Sequence, residues 1–186
     1  MRKNFGKKPY TYPQPVFIIG TYDENGVPCA MNAAWGGISN DTEITLCLSA
    51  HHKTVKNIEL KKEFTISMAT ASQMVACDYV GIASGNDVAN KFEKAGWHDT
   101  KAEFVDAPMI DELPICVECK LISYDSDSCV LVCDIINVSV DEAVLDENGK
   151  VDIQKVEPIA FDPFNNTYVK LTEVVGAAFH AGMTLK

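Results

Sequence analysis

The stretch Val16-Phe17-Ile18-Ile19-Gly20-Thr21-Tyr22-Asp23-Glu24-Asn25-Gly26-Val27-Pro28 decides the fold. Its first part, Val16 to Thr21, is an apolar run of strand length, which predicts a buried β-strand. The segment from Asp23 to Gly26 has the residue types of a tight turn. A second strand is predicted from Pro28 to Trp35. The two strands and the turn together predict a β-hairpin.

The rest of the chain continues this mainly β pattern. Further strands are predicted over residues 43–49, 64–69, 115–125 and 129–140, near 103–105, and in short pieces near 143–146, 150–153, 158–161 and 167–171. Helices are predicted over 54–62, 72–82 and 87–94, with Val75, Tyr79 and Ile82 at helical spacing in the second. Because no regular alternation of strand and helix runs through the chain, a closed or partly open antiparallel β-barrel is favoured over a doubly wound sheet.

Length and composition predict one globular domain over residues 1–186 with a hydrophobic core. Hydrophobic residues make up 47% of the chain and charged residues 23%, which is ordinary globular usage. The formal net charge of −10 disfavours nucleic acid and anionic membranes as partners. No signal peptide or spanning segment is evident, so we expect a cytoplasmic protein. A phosphate-bearing ligand stays compatible with this charge, because a local pocket can bind an anion.

Seven scattered cysteines suggest buried thiols in a reducing compartment. Cys116 and Cys119 form a C-x-x-C motif, but they lie in a predicted strand, where a spacing of three places side chains on opposite faces. We therefore expect these two thiols, with Cys129 and Cys133, to be core residues. The four histidines lack metal-ligand spacing, and no classical catalytic motif is found, so no metal site and no protein nucleophile are predicted. Redox chemistry supplied by a cofactor remains possible.

Three segments are candidates for a ligand site. At a strand-to-helix junction, hydroxyl, imidazole and ammonium groups converge with the free N–H groups of a helix start, which suits a phosphate: Ser49, His51, His52, Lys53 and Thr54. The alternative is a helix capped by Thr54 beside a solvated polar turn.

The second segment is the glycine-bearing loop Ser84-Gly85-Asn86-Asp87, followed by Lys91. Glycine permits close backbone approach to a ligand, and Lys91 would lie one helical turn beyond Asp87. The alternative is a plain turn with a solvated Asp87–Lys91 ion pair.

The third segment carries small residues at a strand end: Asn32, Ala33, Ala34 and Trp35, followed by Gly36 and Gly37. A flat heterocycle needs backbone amides at its polar edge and a surface without bulky side chains. The alternative is packing at the strand end.

In their order and spacing these segments resemble the flavin reductase-like, FMN-binding split-barrel family, and most closely its flavoredoxin-type branch. The residues that carry the resemblance are Pro15-Val16, Gly26, Asn32-Ala33-Ala34-Trp35, Ser49, His52-Lys53-Thr54, Asn57-Ile58, Phe64, Ser84-Gly85 and Lys91-Phe92. The match covers most of the chain. The sequence differs from flavin reductases that have an arginine near the phosphate, because it has His51, His52 and Lys53 at this place.

The resemblance implies a homodimer with one FMN per subunit near the subunit interface. It places residues 32–35 beside the isoalloxazine and residues 49–54 at the phosphate, with Ser84, Gly85 and Lys91 closing the site. Tyr168 and Phe179-His180-Ala181 are implied as further contacts, the latter reaching the partner subunit. The function implied first is an NAD(P)H-dependent flavin reductase-like oxidoreductase. The alternatives are a flavoredoxin-type electron carrier serving a partner protein, or a non-catalytic ligand-binding barrel.

Overall fold

A computed structural model describes residues 1–185 as a mainly β structure. The strands are β1 (Gln14–Pro15), β2 (Phe17–Tyr22), β3 (Pro28–Ala33), β4 (Gly36–Ile38), β5 (Glu43–Cys47), β6 (Glu63–Met68), β7 (Asp99–Lys101), β8 (Pro108–Ile110), β9 (Ile115–Asp125), β10 (Val130–Val140), β11 (Ile159–Asp162) and β12 (Thr167–Lys170). The helices are α1 (Lys53–Lys61), α2 (Met74–Ile82), α3 (Lys91–Lys94) and α4 (Ile153–Val156), with short 3-10 turns at Glu142–Val144 and Ala181–Leu185. None of these helices is long and apolar enough to span a membrane.

Seven strands form one antiparallel sheet that curls into a half-barrel. Their order is β3-β2-β6-β9-β10-β5-β4. A second sheet, β1-β11-β12, is built from both ends of the chain, and β7 pairs with β8 alone. The prediction of a mainly β split barrel is confirmed.

The predicted hairpin is present as β2 and β3. The pairing runs from Phe17 opposite Ala33 to Tyr22 opposite Pro28. At the turn, the Asp23 carboxylate accepts hydrogen bonds from the backbone N–H groups of residues 25 and 27, and Gly26 has a positive φ of 77°. Glycine adopts this conformation without a steric penalty, which explains its place in the turn.

Two hydrophobic cores lie on either side of the main sheet. The inner barrel core includes Phe64, fully buried, and receives Val55 and Ile58 from α1. Full burial of such side chains contributes about 1.5–3 kcal/mol each. The second core lies under α2, which packs against β3 through Cys77 and Val80.

The apolar face predicted for α2 is not the face that packs against the second core. Val75 and Ile82 share helical spacing but are exposed, while Cys77 and Val80 are buried. Because α2 lies against β3 with its flanks open, only one narrow line of the helix is covered.

The expectation for the cysteines is correct for three of the four. All seven are free thiols. Cys119 and Cys133 are buried in the barrel core, whereas Cys116 is buried on the opposite face of β9, where burial raises the pKa of its thiol to about 12. Cys129 differs because it lies half-exposed in the turn before β10, with a φ of 60°.

Four other predicted elements differ from the structure. The strand expected near 103–105 is a loop between β7 and β8, in which the N–H of Phe104 bonds to the buried Glu118 carboxylate at 2.7 Å. The predicted strands near 143–146 and 150–153 reduce to one isolated bridge beside a 3-10 turn. The helix expected over 87–94 covers only Lys91–Lys94, and Asp87 does not cap it. Strand β4 was not predicted because two of its three residues are glycines, which are not typical of strands.

Candidate functional site

Two adjoining cavities lie between β3, the start of α1 and the end of α2. The larger has a volume of about 370 Å³ and the smaller of about 150 Å³. Both are lined by Met31, Asn32, His52, Gly81 and Ile82. Because they share these walls, the cavities form one site with a wide part and a narrow part.

The larger cavity has three walls. The end of β3, the residues after it and the adjoining end of β5 form one wall, α2 forms the second, and β11 with β12 forms the third. Its remaining lining residues are Ala33, Ala34, Trp35, Cys47, Leu48, Asp78, Phe161 and Tyr168. Trp35 is 54% exposed as a residue, which places it at the rim rather than in the core. The small side chains of residues 33 and 34 leave room for a flat ligand.

The smaller cavity is more polar. Besides the shared residues it is lined by Lys53, Thr54, Val80, Ala83, Ser84, Gly85 and Lys91. Helix α1 begins here with His52 as its N-cap residue, and no side chain caps it. The alternative in which Thr54 caps this helix is therefore wrong. The first N–H groups of α1 lack a side-chain acceptor, which makes this end suited to an anion.

Lys91 is the most deeply buried cation of the site. The residue is only 4% exposed, and its ammonium donates hydrogen bonds to the carbonyls of Val80 at 3.1 Å and Ala83 at 2.9 Å. These carbonyls end α2, so Lys91 supplies positive charge to the negative end of the helix. Burial lowers the pKa of the ammonium below 10.5. The alternative of a solvated Asp87–Lys91 ion pair is wrong.

Lys53 has its charge partly compensated. Its ammonium lies 3.1 Å from the Asp23 carboxylate in the β2–β3 turn. Burial would raise the pKa of Asp23, but hydrogen bonds from the Val27 N–H and the Lys53 ammonium outweigh it and lower the pKa. The hairpin turn therefore fixes the start of α1.

His52 lies at the junction of the two cavities. Burial is the largest cause of a lowered pKa for its imidazole, and the positive charge of Lys91 lowers it further. The lowered pKa favours the neutral form of the His52 imidazole.

Gly85 permits the 84–85 loop to approach α1. A Cβ atom at this position would lie 2.9 Å from the Cys29 sulfur and 3.3 Å from the Lys53 Cβ. A larger residue would push the loop away and widen the smaller cavity.

The structure brings most predicted site residues together around these cavities, with three exceptions. Ser49 is half-buried beside the junction, and its hydroxyl is 3.5 Å from the His51 N–H. His51 is exposed, and its carbonyl accepts from Asn86 at 2.9 Å. His180 is exposed in the C-terminal segment. These three do not line either cavity.

Sequence reasoning missed the contribution of α2. Asp78, Gly81 and Ile82 line the larger cavity and are three and four residues apart. This spacing places them on one face of the helix, which was the signal that could have identified them. Among residues 1–185, no cluster of His, Cys, Asp and Glu is arranged to hold a metal ion.

A half-barrel with a wide cavity of mixed polarity that continues into a narrow, more polar one defines a split-barrel protein built around a ligand site. Residues 10–160 match the family model described as a flavin reductase like domain. The chain belongs to this family of flavin-linked oxidoreductase-type proteins.

Individual relatives agree with this membership. Flavoredoxin of Desulfovibrio vulgaris (Miyazaki F) is 36% identical, with a TM-score of 0.92, covering 98% of this chain and 100% of that one. An uncharacterized protein of Aquifex aeolicus (strain VF5) is 30% identical over 156 residues, 79% of each chain. An FMN-binding domain of a flavin reductases-like enzyme from Shewanella baltica OS155 has the same fold, with a TM-score of 0.79 at 21% identity and coverage of 88% and 89%.

Proposed function

We propose that the joined cavities bind FMN and that the chain is an FMN-dependent oxidoreductase of the NAD(P)H-dependent flavin reductase type. The observation that carries this proposal is the change of chemistry along one continuous site, from a wide cavity with small residues to a narrow one with cations and N–H donors. FMN has the same polarity, with a flat ring at one end and a phosphate at the other.

The smaller cavity fits the phosphate. The uncapped start of α1 offers N–H donors, and the hydroxyl groups of Thr54 and Ser84 line the same space. Lys91 uses two of its three ammonium protons on carbonyl groups and keeps the third for an anion.

The larger cavity fits the ring. Its volume of about 370 Å³ lies in the range of roughly 300–1,000 Å³ usual for cofactor sites. Trp35 at the rim and the Asn32 side chain, which donates to the Cys77 carbonyl at 3.1 Å, border the space on two sides.

Bound FMN would supply the electron-transfer chemistry, so no protein nucleophile is required. The protein would hold the phosphate at α1, orient the ring against β3, and leave the side at Trp35 open to an electron donor. NAD(P)H is the first donor to test, because the family membership is with flavin reductase-like proteins.

The test is an absorption spectrum of the purified protein before and after FMN addition and desalting, followed by anaerobic addition of NADH or NADPH. Retained flavin, bleached by a nucleotide, supports the reductase. Riboflavin, which lacks the phosphate, should bind at least about 10-fold more weakly than FMN, equal to the loss of about 1.4 kcal/mol. A colourless protein that takes up no flavin would instead favour a non-catalytic barrel.

A double variant tests the phosphate assignment. Lys53→Ala with Thr54→Ala should lower FMN affinity while the unliganded fold is kept. Lys56→Ala is the matched control, since Lys56 lies on the same helix and lines neither cavity. Unchanged FMN affinity in the double variant would overturn the assignment.

A flavoredoxin-type electron carrier is the second candidate. It is favoured by the 36% identity with Desulfovibrio vulgaris flavoredoxin across nearly the whole chain. A carrier should be photoreduced and reoxidised reversibly without being reduced by either nicotinamide nucleotide. Rapid reduction by NADH or NADPH would exclude this candidate in favour of the reductase.

We further propose that two copies form a homodimer through the segment after β12. Val175, Phe179 and Leu185 are 92–100% exposed, which is unusual for large apolar side chains in one segment. A chain ending at Leu171 should be monomeric in sedimentation experiments if this segment carries the interface. A truncated chain that stays dimeric, or a full chain that is monomeric, would refute the proposal.

A further inference from the structure

Asp78 and Tyr168 form a hydrogen-bonded pair on the wall of the larger cavity. The Tyr168 hydroxyl donates to the Asp78 carboxylate at 2.8 Å. Both residues line the larger cavity, and neither lines the smaller one. The pair joins α2 to β12, so its position is fixed by two separate parts of the fold.

The negative charge of Asp78 is not neutralised by a neighbouring cation. None of the ion pairs in residues 1–185 involves Asp78. Burial, and then the bond to Asp78, raises the pKa of Tyr168 to about 12, so the phenol stays neutral. The pair therefore contributes one uncompensated negative charge to the cavity.

This charge is separated from the cations of the site. Lys91 binds the last carbonyls of α2, next to the smaller cavity. Asp78 precedes Val80 and Ala83, whose carbonyls bind Lys91, by two and five residues, which is about 3 and 7.5 Å along the helix axis. Asp78 lines only the larger cavity, whereas Lys53 and Lys91 line only the smaller one. Asp78 thus lies beside the space for the ring and away from the phosphate end.

We propose that Asp78, held by Tyr168, selects the redox partners of the site by charge, favouring cationic and neutral molecules over anionic ones. This inference rests on the proposed function, because it concerns electron exchange with FMN bound in the larger cavity. Tyr168 is neutral, so the charge belongs to Asp78 alone.

The effect has a calculable size. A single charge about 10 Å from a triply charged complex in water, screened at about 10 mM ionic strength, changes the encounter rate by about 4-fold. The change has opposite sign for a cation and an anion. Removal of the charge should therefore shift the ratio of the two rates by about 15-fold.

The experiment uses the full-length chain in whatever oligomeric state it adopts. The protein is loaded with FMN and reduced anaerobically by light. Reoxidation is followed by stopped flow with hexaammineruthenium(III) or with ferricyanide, which carry charges of opposite sign and equal size. Each anionic reduced flavin transfers one electron to each of two complex ions and releases one proton to the medium. FMN affinity is measured separately for every variant by fluorescence titration.

Asp78→Asn should lower the ruthenium rate and raise the ferricyanide rate, each by about 4-fold at about 10 mM salt, with the difference largely lost at high salt. Asp78→Glu keeps the charge and should keep the wild-type ratio, as should Tyr168→Phe. Asp78→Ser is a second neutral variant if the asparagine variant binds flavin poorly. Glu147→Gln is the matched control, since Glu147 is exposed in a turn outside both cavities.

The outcomes separate the two proposals. If the wild-type protein binds no flavin, the proposed function fails and this inference falls with it. If flavin binds normally and the neutral Asp78 variants keep the wild-type rate ratio, only the charge selection is overturned. A shift in Tyr168→Phe as large as that in Asp78→Asn, or an equal shift in Glu147→Gln, would also refute it.

Discussion

The Lys91 ammonium joins α3 to the end of α2, and Lys91→Met tests what this buried cation contributes. Two hydrogen bonds from a charged donor are lost, each worth about 1.5–3 kcal/mol, but the cost of burying the charge is lost as well. We therefore expect a net loss of about 2–3 kcal/mol in the free energy of unfolding, or about 5–10 °C in Tm. FMN affinity should fall by about 10–100-fold, because the smaller cavity loses its buried cation.

The assay is urea unfolding of the flavin-free protein, with FMN titration in parallel. Lys94→Met is the matched control, because Lys94 is on the same short helix but is exposed. The reasoning is refuted if both variants unfold within about 0.5 kcal/mol of each other, a difference typical of surface substitutions.

The sign of the pH dependence gives a second check on Lys91. Its pKa is lowered below 10.5 in the folded protein, so the unfolded chain binds more protons between the lowered pKa and 10.5. The free energy of unfolding contributed by this group therefore rises with pH across that window. The difference between the wild type and Lys91→Met should show this rise, while the Lys94→Met difference should not.

Three further outcomes are expected. His52 should titrate below 6.5 by NMR, and Lys91→Met should raise its pKa because one positive neighbour is lost; an unchanged value would contradict the electrostatic effect of Lys91 on His52. His98 should titrate above 6.5, mainly because of its bond to Glu112, and Glu112→Gln should bring its pKa back toward 6.5 by NMR. Glu118→Ala should cost about 2–4 kcal/mol in urea unfolding, since the Phe104 N–H and the Asn137 amide lose their buried acceptor, and a loss under 1 kcal/mol would refute this role.

Six of the seven strands of the main sheet, all except β4, could be predicted because their signals are local. The apolar run of β2 and the turn ending at Gly26 specify the hairpin without any distant contact. The long strands β9 and β10 were also predicted nearly to their ends, since alternation and β-branched residues continue throughout.

Two of the wrong predictions depend on distant partners. Residues 103–105 have strand-like composition, but the buried Glu118 of β9 takes the Phe104 N–H and leaves no ladder there. Lys91 has the sequence spacing of an exposed ion pair, yet its partners are the carbonyls that end α2. A local pattern carries no information on an acceptor supplied by another element.

The candidate site was predictable where one segment supplies it. The start of α1 and the loop at residues 84 and 85 each gather donor groups within a few residues, and both line the smaller cavity. The larger cavity combines β3 with α2, β11 and β12, and Asp78 meets Tyr168 only through the tertiary fold. The family resemblance supplied Tyr168, whereas for Asp78 the only sequence signal was its helical spacing with Gly81 and Ile82, which does not show what that face of α2 meets.

A chain with a net charge of −10 can still have a positively charged site for an anion, because the positive and negative groups of this site lie at opposite ends of it. Lys53, Lys91 and the start of α1 meet at the smaller cavity, while Asp78 lies beside the larger one. A ligand with a phosphate at one end is therefore stabilised in one orientation, since the reverse orientation would place the phosphate against a carboxylate. In the proposed complex with FMN, the ring end would face a negative charge, so the proposed orientation of the cofactor and the proposed charge preference for its partners would follow from one arrangement of residues.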